Sequence, residues 1–262
     1  MTSEKTITKR NPRRNLPVGQ SPRERGRQKL VGVLCWLYQW HTTVSPLICE
    51  LLGTTERTYL VELERKGYVK SFPAPSLICG RGFMLTSDGV NAAMTALGKQ
   101  LPYTIHPGSV SHANLKHNLA IQRHAIKTHR KGFNVTPGRF LSAHQGGKIP
   151  DALIHVPHGI LALEVELSPK WSAELEQALH GHLNALVHGD WQGVIYLSNS
   201  EVLLENYKQR LTFPIPDWWQ STMTDGSTRW MRGSDRVVSE ELREKFSWEF
   251  NPGLLKDFER IF

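Results

Sequence analysis

The run from Ile149 to Lys170, IPDALIHVPHGILALEVELSPK, concentrates side chains suited to phosphate chemistry. Side chains alternate along an extended strand, which puts Glu164 and Glu166 on one face and Leu163, Val165 and Leu167 on the other. A hairpin turning at Pro157–His158 pairs Val156 with Gly159, and the same register sets Asp151 opposite Glu164. Opposed β-carbons lie about 5 Å apart, so two carboxylates there repel one another unless a cation sits between them. Hard oxygen donors of this kind suit Mg²⁺ or Mn²⁺, which makes Asp151 and Glu164 candidate metal ligands. A register shift of one residue would separate them. The plainer reading is a set of solvated carboxylates on an exposed strand face.

Hydrophobic periodicity supplies elements to hold this run. Val110–Lys131 reads as a long helix, Phe133–Ser142, Lys148–Val156 and Ile160–Leu167 as strands, and Trp171–His188 as an amphipathic helix. Gly193–Leu197 has the apolar character of a strand buried on both faces, and Val202–Leu211 reads as the next helix. The order is α, β, β, β, α, β, α. Upstream, Gln28–Trp40 and Val44–Leu52 read as helices, and Thr54 and Thr55 open a third that Gly67 stops. Tyr68–Ser71 and Arg81–Thr86 flank a loop containing Pro73, Pro75 and Gly80, and Ser87–Leu97 follows as a helix. This is the outline of a winged helix-turn-helix with Thr55–Lys66 as its recognition helix. Arg57, Arg65, Lys66, Lys70 and Arg81 are its candidate contacts to phosphates or base edges. Modules of this shape also serve as protein-binding units and as spacers.

The chain has 262 residues and a net charge of +8, very unevenly divided. Residues 1–30 carry +7, residues 31–132 carry +6 and residues 133–262 carry −5. A basic front joined to an acidic back suggests one part that grips a phosphate backbone and another that needs carboxylates. Residues 1–26 have too few apolar side chains to offset the entropy of ordering and read as a disordered basic arm. No apolar run approaches the roughly 18 residues of a membrane span, and the basic arm has no apolar signal region. A membrane protein is thereby excluded, and a cytoplasmic one expected. Cys35, Cys49 and Cys79 are odd in number and widely spaced, so buried or inert thiols are expected rather than disulfides or a metal site. Residues 212–262 hold Trp218, Trp219, Trp230 and Trp248 and are expected to pack on the core.

Pro150-Asp151, then Glu164-x-Glu166 and Lys170, on an α-β-β-β-α-β order, resembles the PD-(D/E)XK nuclease superfamily. That resemblance implies an α/β core over residues 109–211, after a winged helix over 27–100. It also implies metal held by Asp151 and Glu164, and a lysine that assists the attacking water. Here Glu166 occupies the lysine position, and Lys170 is the nearest lysine that could have migrated to the task. Leu60, Leu63 and Gly67, the His117-Asn118-Leu119 element and the PD…EVELSPK run together resemble the replication-relaxation family and the MobC-type plasmid mobilisation relaxases. This narrower resemblance implies a DNA-nicking enzyme acting on double-stranded plasmid DNA at a transfer origin, with His117 near its active site. A type IV secretion coupling protein would be a further partner of that activity.

The expected chemistry is metal-assisted phosphodiester cleavage, with Glu166 or Lys170 positioning or deprotonating water. The residues leave open whether a tyrosine attacks instead. They do argue against the relaxases that use a His-hydrophobic-His pair on a strand. The only comparable pair, His180-Gly181-His182, falls in a helical segment, where residues two apart face different ways. Two other readings share these features: a type II restriction or repair endonuclease, and a plasmid DNA-binding regulator that does not cut.

Overall fold

Ser21 caps the first helix, its hydroxyl accepting the Glu24 N–H, with Pro22 in the first turn. The structure, a computed structural model, describes residues 21–142, 148–256 and 258. Helix α1 spans Pro22–Trp40, so residues 22–26 are helical where a disordered arm is expected. The cap, the proline and a Glu24–Arg27 ion pair of 3.0 Å outweigh the low apolar content there. The rest of that arm, residues 1–20, lies outside the described residues.

Strand β1 (Thr42–Thr43), helices α2 (Ser45–Leu52) and α3 (Tyr59–Arg65), strands β2 (Val69–Pro73) and β3 (Arg81–Leu85) and helix α4 (Ser87–Leu97) follow. The three strands form one antiparallel sheet in the order β1-β3-β2. Helix α3 starts four residues later than the threonine caps suggest. Thr54 Oγ1 accepts the Glu56 N–H and Thr58 Oγ1 donates to the Glu56 carboxylate, so these hydroxyls hold a turn. Arg57 therefore sits in the turn ahead of α3, not in the helix.

The second half runs α5 (His112–Arg130), β4 (Asn134–Pro137), β5 (Ala152–Val156), β6 (Gly159–Glu166), α6 (Ser172–His188), β7 (Gly193–Ser198) and α7 (Glu201–Arg210). Then come β8 (Ile215–Thr222), β9 (Thr228–Arg236), the short α8 (Glu240–Glu244) and β10 (Phe246–Phe250). Five strands form a mixed sheet in the order β10-β7-β6-β5-β4. β4, β5 and β6 are antiparallel neighbours, and β6, β7 and β10 are parallel. Strand β10 takes the sheet's edge, so part of the Trp-rich tail is built into the core sheet rather than laid on it. Strand β4 is shorter than its sequence pattern suggests, because the chain turns into a 3₁₀ segment at Gly138–Phe140.

Leu163, Val165, Ile195 and Leu197 face α5 and join one continuous core with Trp36, Leu37, Leu63 and Phe83 of the N-terminal half. Ala162, Val194 and Tyr196, on the opposite face, pack with Leu179 and Leu183 of α6 and Leu203 and Leu204 of α7. Helix α5 is the shared wall. Its buried Gln122 accepts from Trp36 Nε1 at 3.0 Å and donates to Thr42 O at 2.8 Å. The connecting segment near Pro102 is strapped down as well: the Tyr38 hydroxyl donates to Leu101 O and accepts its N–H. Cys35 and Cys49 are partly buried, whereas Cys79 is exposed in the loop between β2 and β3.

Arg123 on α5 ties three parts of the chain together. Its guanidinium meets Glu50 of α2 at 2.7 Å, donates to the carbonyls of Gly253, Leu254 and Lys256, and lies 4.0 Å over the Phe258 ring. Arg123→Ala strands these acceptors and is expected to lower stability by about 2–4 kcal/mol, the partial exposure of Glu50 softening the loss. Urea unfolding measures it; a change below about 0.5 kcal/mol would remove Arg123 from this role.

Candidate active site

Strand β6 delivers its two glutamates to the carboxyl end of the parallel pair β6–β7, where open α/β sheets place ligands. The hairpin register is Val156 with Gly159 and Ala152 with Leu163, which brings Asp151 level with Glu164. Asp151 lies just before β5. Its N–H donates to Leu163 O, and its Oδ2 accepts the Val165 N–H at 2.8 Å, so the carboxylate continues the ladder where the strand stops. Gly138 permits the close packing that holds it: a Cβ there would come within 2.3 Å of Pro150 O.

Asp151, Glu164, Glu166, Lys170 and His117 line one cleft of about 560 Å³, together with Lys148 and Asn199. Sequence reasoning singled out the first five and missed Lys148, whose ammonium lies 2.9 Å from Glu164 Oε2. Lysine three residues before Asp151 carries no pattern of its own; only the fold turns it inward. Lys170 contacts Glu166 Oε1, four residues away. His117 reaches in from α5, its Nε2 2.8 Å from Val165 O and 3.2 Å from Asp151 Oδ2.

Behind the cleft, His182 of α6 is fully buried, with Nε2 3.1 Å from Glu164 Oε1. It approaches without the alignment of a hydrogen bond, and its ring packs edge-on against Trp191 and Tyr196. His180, two residues earlier, points elsewhere, 3.3 Å from Asp217 of β8. The pair thus divides between two neighbourhoods, as helical spacing dictates.

Electrostatics follow from burial. Glu164 is 2% exposed and Glu166 5%. Burial pushes the Glu164 carboxyl up, but Lys148 and then His182 outweigh it and hold the group ionised. Burial pulls Lys148 down, and Glu164 more than restores it. Lys170 is lowered, first by burial and then by the ammonium of Lys148. Burial lowers His182 below the ordinary imidazole value, and Glu164 offsets only part of that. His117 is pulled down by burial and raised further by Asp151.

Among the described residues no group of three or more His, Cys, Asp or Glu side chains is gathered to hold a metal by itself. Mg²⁺, however, is commonly held by one or two carboxylates, completing its shell with water and substrate phosphate. Asp151 and Glu164 meet that lesser requirement. Glu164 Oε1 faces His182 without an aligned hydrogen bond and Oε2 carries Lys148, so both acids offer hard oxygen donors at one place. The donor set therefore fits a hard divalent ion.

Arg57, Arg65, Lys66 and Arg81 are exposed and Lys70 is half-buried, all in the N-terminal half and apart from this cleft's lining. No family model matches the chain, and neither a curated protein nor a solved structure matches it.

The His117 imidazole is expected to titrate above its ordinary 6.5. Its ion pair with Asp151 is then fully formed below that value and lost as pH rises through the shifted one. Asp151→Asn should lower the midpoint, because the largest contributions opposing burial come from Asp151 and only Val165 O and Glu164 then remain against it. NMR titration of the imidazole protons reads both; a wild-type midpoint at or under the ordinary value would break the pairing.

Proposed function

We propose that this protein is a metal-dependent DNA endonuclease that nicks one strand by hydrolysis. The reading gives residues 27–100 the role of a winged helix-turn-helix that reads the DNA and residues 109–211 that of a PD-(D/E)XK-type core. The observation that carries it is the meeting of Asp151 and Glu164 at the carboxyl end of β6, in a cleft with Glu166, Lys148 and Lys170. Two topological features support it. The order α1-β1-α2-α3-β2-β3, with β3 central in a three-stranded sheet, suits a winged helix. The mixed sheet, with α5 on one face and α6 on the other, suits the nuclease core.

On this reading Asp151 and Glu164 would hold Mg²⁺ or Mn²⁺, which when bound supplies Lewis-acid polarisation of a phosphoryl oxygen. The chain's own residues divide the remaining work. His117 and the Val165 N–H fix the Asp151 carboxylate. The ammonium groups of Lys148 and Lys170 line the cleft as donors to phosphate oxygens. Glu166 is placed to accept the proton of an attacking water, with Lys170 beside it to steer the anionic substrate. Water is favoured over tyrosine as nucleophile. Tyr196 and Tyr207, the tyrosines next to Glu164 and Lys170, are both buried, and the Tyr207 hydroxyl already accepts the Lys170 N–H. The substrate proposed from the motif resemblance is a plasmid transfer origin, with a type IV secretion coupling protein as partner.

A supercoiled plasmid carrying the cognate origin, and one with the origin scrambled, test the reading with and without Mg²⁺ or Mn²⁺. Wild-type protein should yield nicked circles from the cognate plasmid alone and only with metal. Asp151→Asn and Glu164→Gln should each reduce nicking to background while duplex affinity stays within about twofold. Full activity in both variants would overturn the metal site. Linear product would point to a restriction-type enzyme, and tight binding without product to a regulator.

A further inference from the structure

The nuclease reading leaves the Trp-rich segment without a task, and its structure is unusual. Strands β8 and β9 form a two-stranded ribbon of their own, separate from both other sheets. Its base is anchored on α6: His180 meets Asp217, and the Trp218 N–H approaches His180 Nδ1 at 3.4 Å. Beyond Trp218 the ribbon leaves the body of the protein. Trp219 is 50% exposed, and Trp230 and Met231 are each 39% exposed. Three large apolar side chains on a ribbon with no core behind them are costly to leave in water, and they mark a binding surface.

The register shows what kind. Trp219 pairs with Met231 and Ser221 with Arg229, so Trp219, Met231 and Arg229 share one face. Trp218 pairs with Arg232 and Gln220 with Trp230, so Trp218, Trp230 and Arg232 share the other. Each face therefore alternates indole and guanidinium. Acids nearby are already engaged: Asp217 with His180, Asp235 with Arg232, and Asp225 with Ser227 in the turn. The Arg232 pair is solvent-exposed and exchangeable.

Trp219 is also held in place. An added Cβ at Gly233 would meet its ring at 2.7 Å, so the indole lies across β9 in space that only glycine leaves open. A flat, fixed indole beside a guanidinium matches a base beside its phosphate. Bases in a duplex hide their faces in the stack; those of a single strand do not.

We propose that the β8–β9 ribbon is a platform for single-stranded DNA. Trp219 stacks against a base, and Arg229 on the same face takes a flanking phosphate. This goes beyond the nuclease reading and does not require it, since the platform needs no metal.

The test is fluorescence anisotropy of the full chain with labelled oligo(dT) and with a labelled duplex, both in EDTA so that the carboxylate cleft plays no part. Trp219→Ala should lose about fivefold or more in affinity for oligo(dT), with duplex affinity within about twofold. Arg229→Ala keeps the indole and should flatten the salt dependence of oligo(dT) binding by roughly 0.7 unit of slope. Gly233→Val, which displaces the Trp219 ring without removing it, should weaken oligo(dT) binding in the same direction. Equal oligo(dT) affinity in wild type and all three variants overturns the proposal. So does a parallel loss of duplex binding, or capture of no oligonucleotide by the wild type. Nicking activity alongside a failed ribbon test would leave the nuclease reading standing, and the reverse outcome would leave the ribbon standing.

Discussion

Burying an ionised Glu164 is the constraint around which this protein is arranged. Taking a carboxylate out of water costs several kcal/mol, and only close, opposite charge and hydrogen bonding repay it. Repayment comes first from Lys148, brought by the segment ahead of β5, with the His182 ring of α6 behind. Asp151 alongside adds a like charge, which His117 on its far side meets. Three carboxylates face three ammonium groups, those of Lys116, Lys148 and Lys170, and a histidine raised toward its charged form, so the cleft is close to electrically balanced. A balanced cluster is stable in the resting protein. On the nuclease reading, the same ammonium groups would exchange from carboxylate to phosphate oxygens.

Such a cluster needs walls that do not yield. The sheet is clamped between α5 on one face and α6 and α7 on the other, and α5 belongs equally to the N-terminal core. Gln122 and Arg123, adjacent on α5, bind β1, α2 and the C-terminal segment. His117 lies on the same helix, so the side chain that fixes Asp151 is carried by the element joining the two halves. A change in how the N-terminal half sits would be felt at Asp151 through that helix.

Much of this was legible in the sequence because it follows from periodicity. The alternation in Gly159–Glu166 placed Glu164 and Glu166 on one face, and the two-residue turn at Pro157–His158 set the register, since one slipped residue would bury the wrong side chains. Lys148 and His182 were not legible. Lys148 falls in no pattern and His182 showed only as half of a His-Gly-His pair on a helix, and their meeting with Glu164 is made by tertiary packing across 16 and 18 residues of chain. Helix α3 began late because threonine hydroxyls serve turns as readily as caps. Strand β10 escaped because it joins the sheet across about fifty residues, beside β7, with exposed Ser247 and Glu249 breaking the apolar pattern of a sheet strand.

The central claim is that Asp151 and Glu164 are built to hold a divalent cation. Titration of Mn²⁺ into the DNA-free protein, followed by electron paramagnetic resonance of the free ion, tests it without reference to catalysis. The account predicts saturable Mn²⁺ binding that Mg²⁺ displaces and that Asp151→Asn or Glu164→Gln removes. Binding that survives in both variants, or no saturable binding in the wild type, would contradict it.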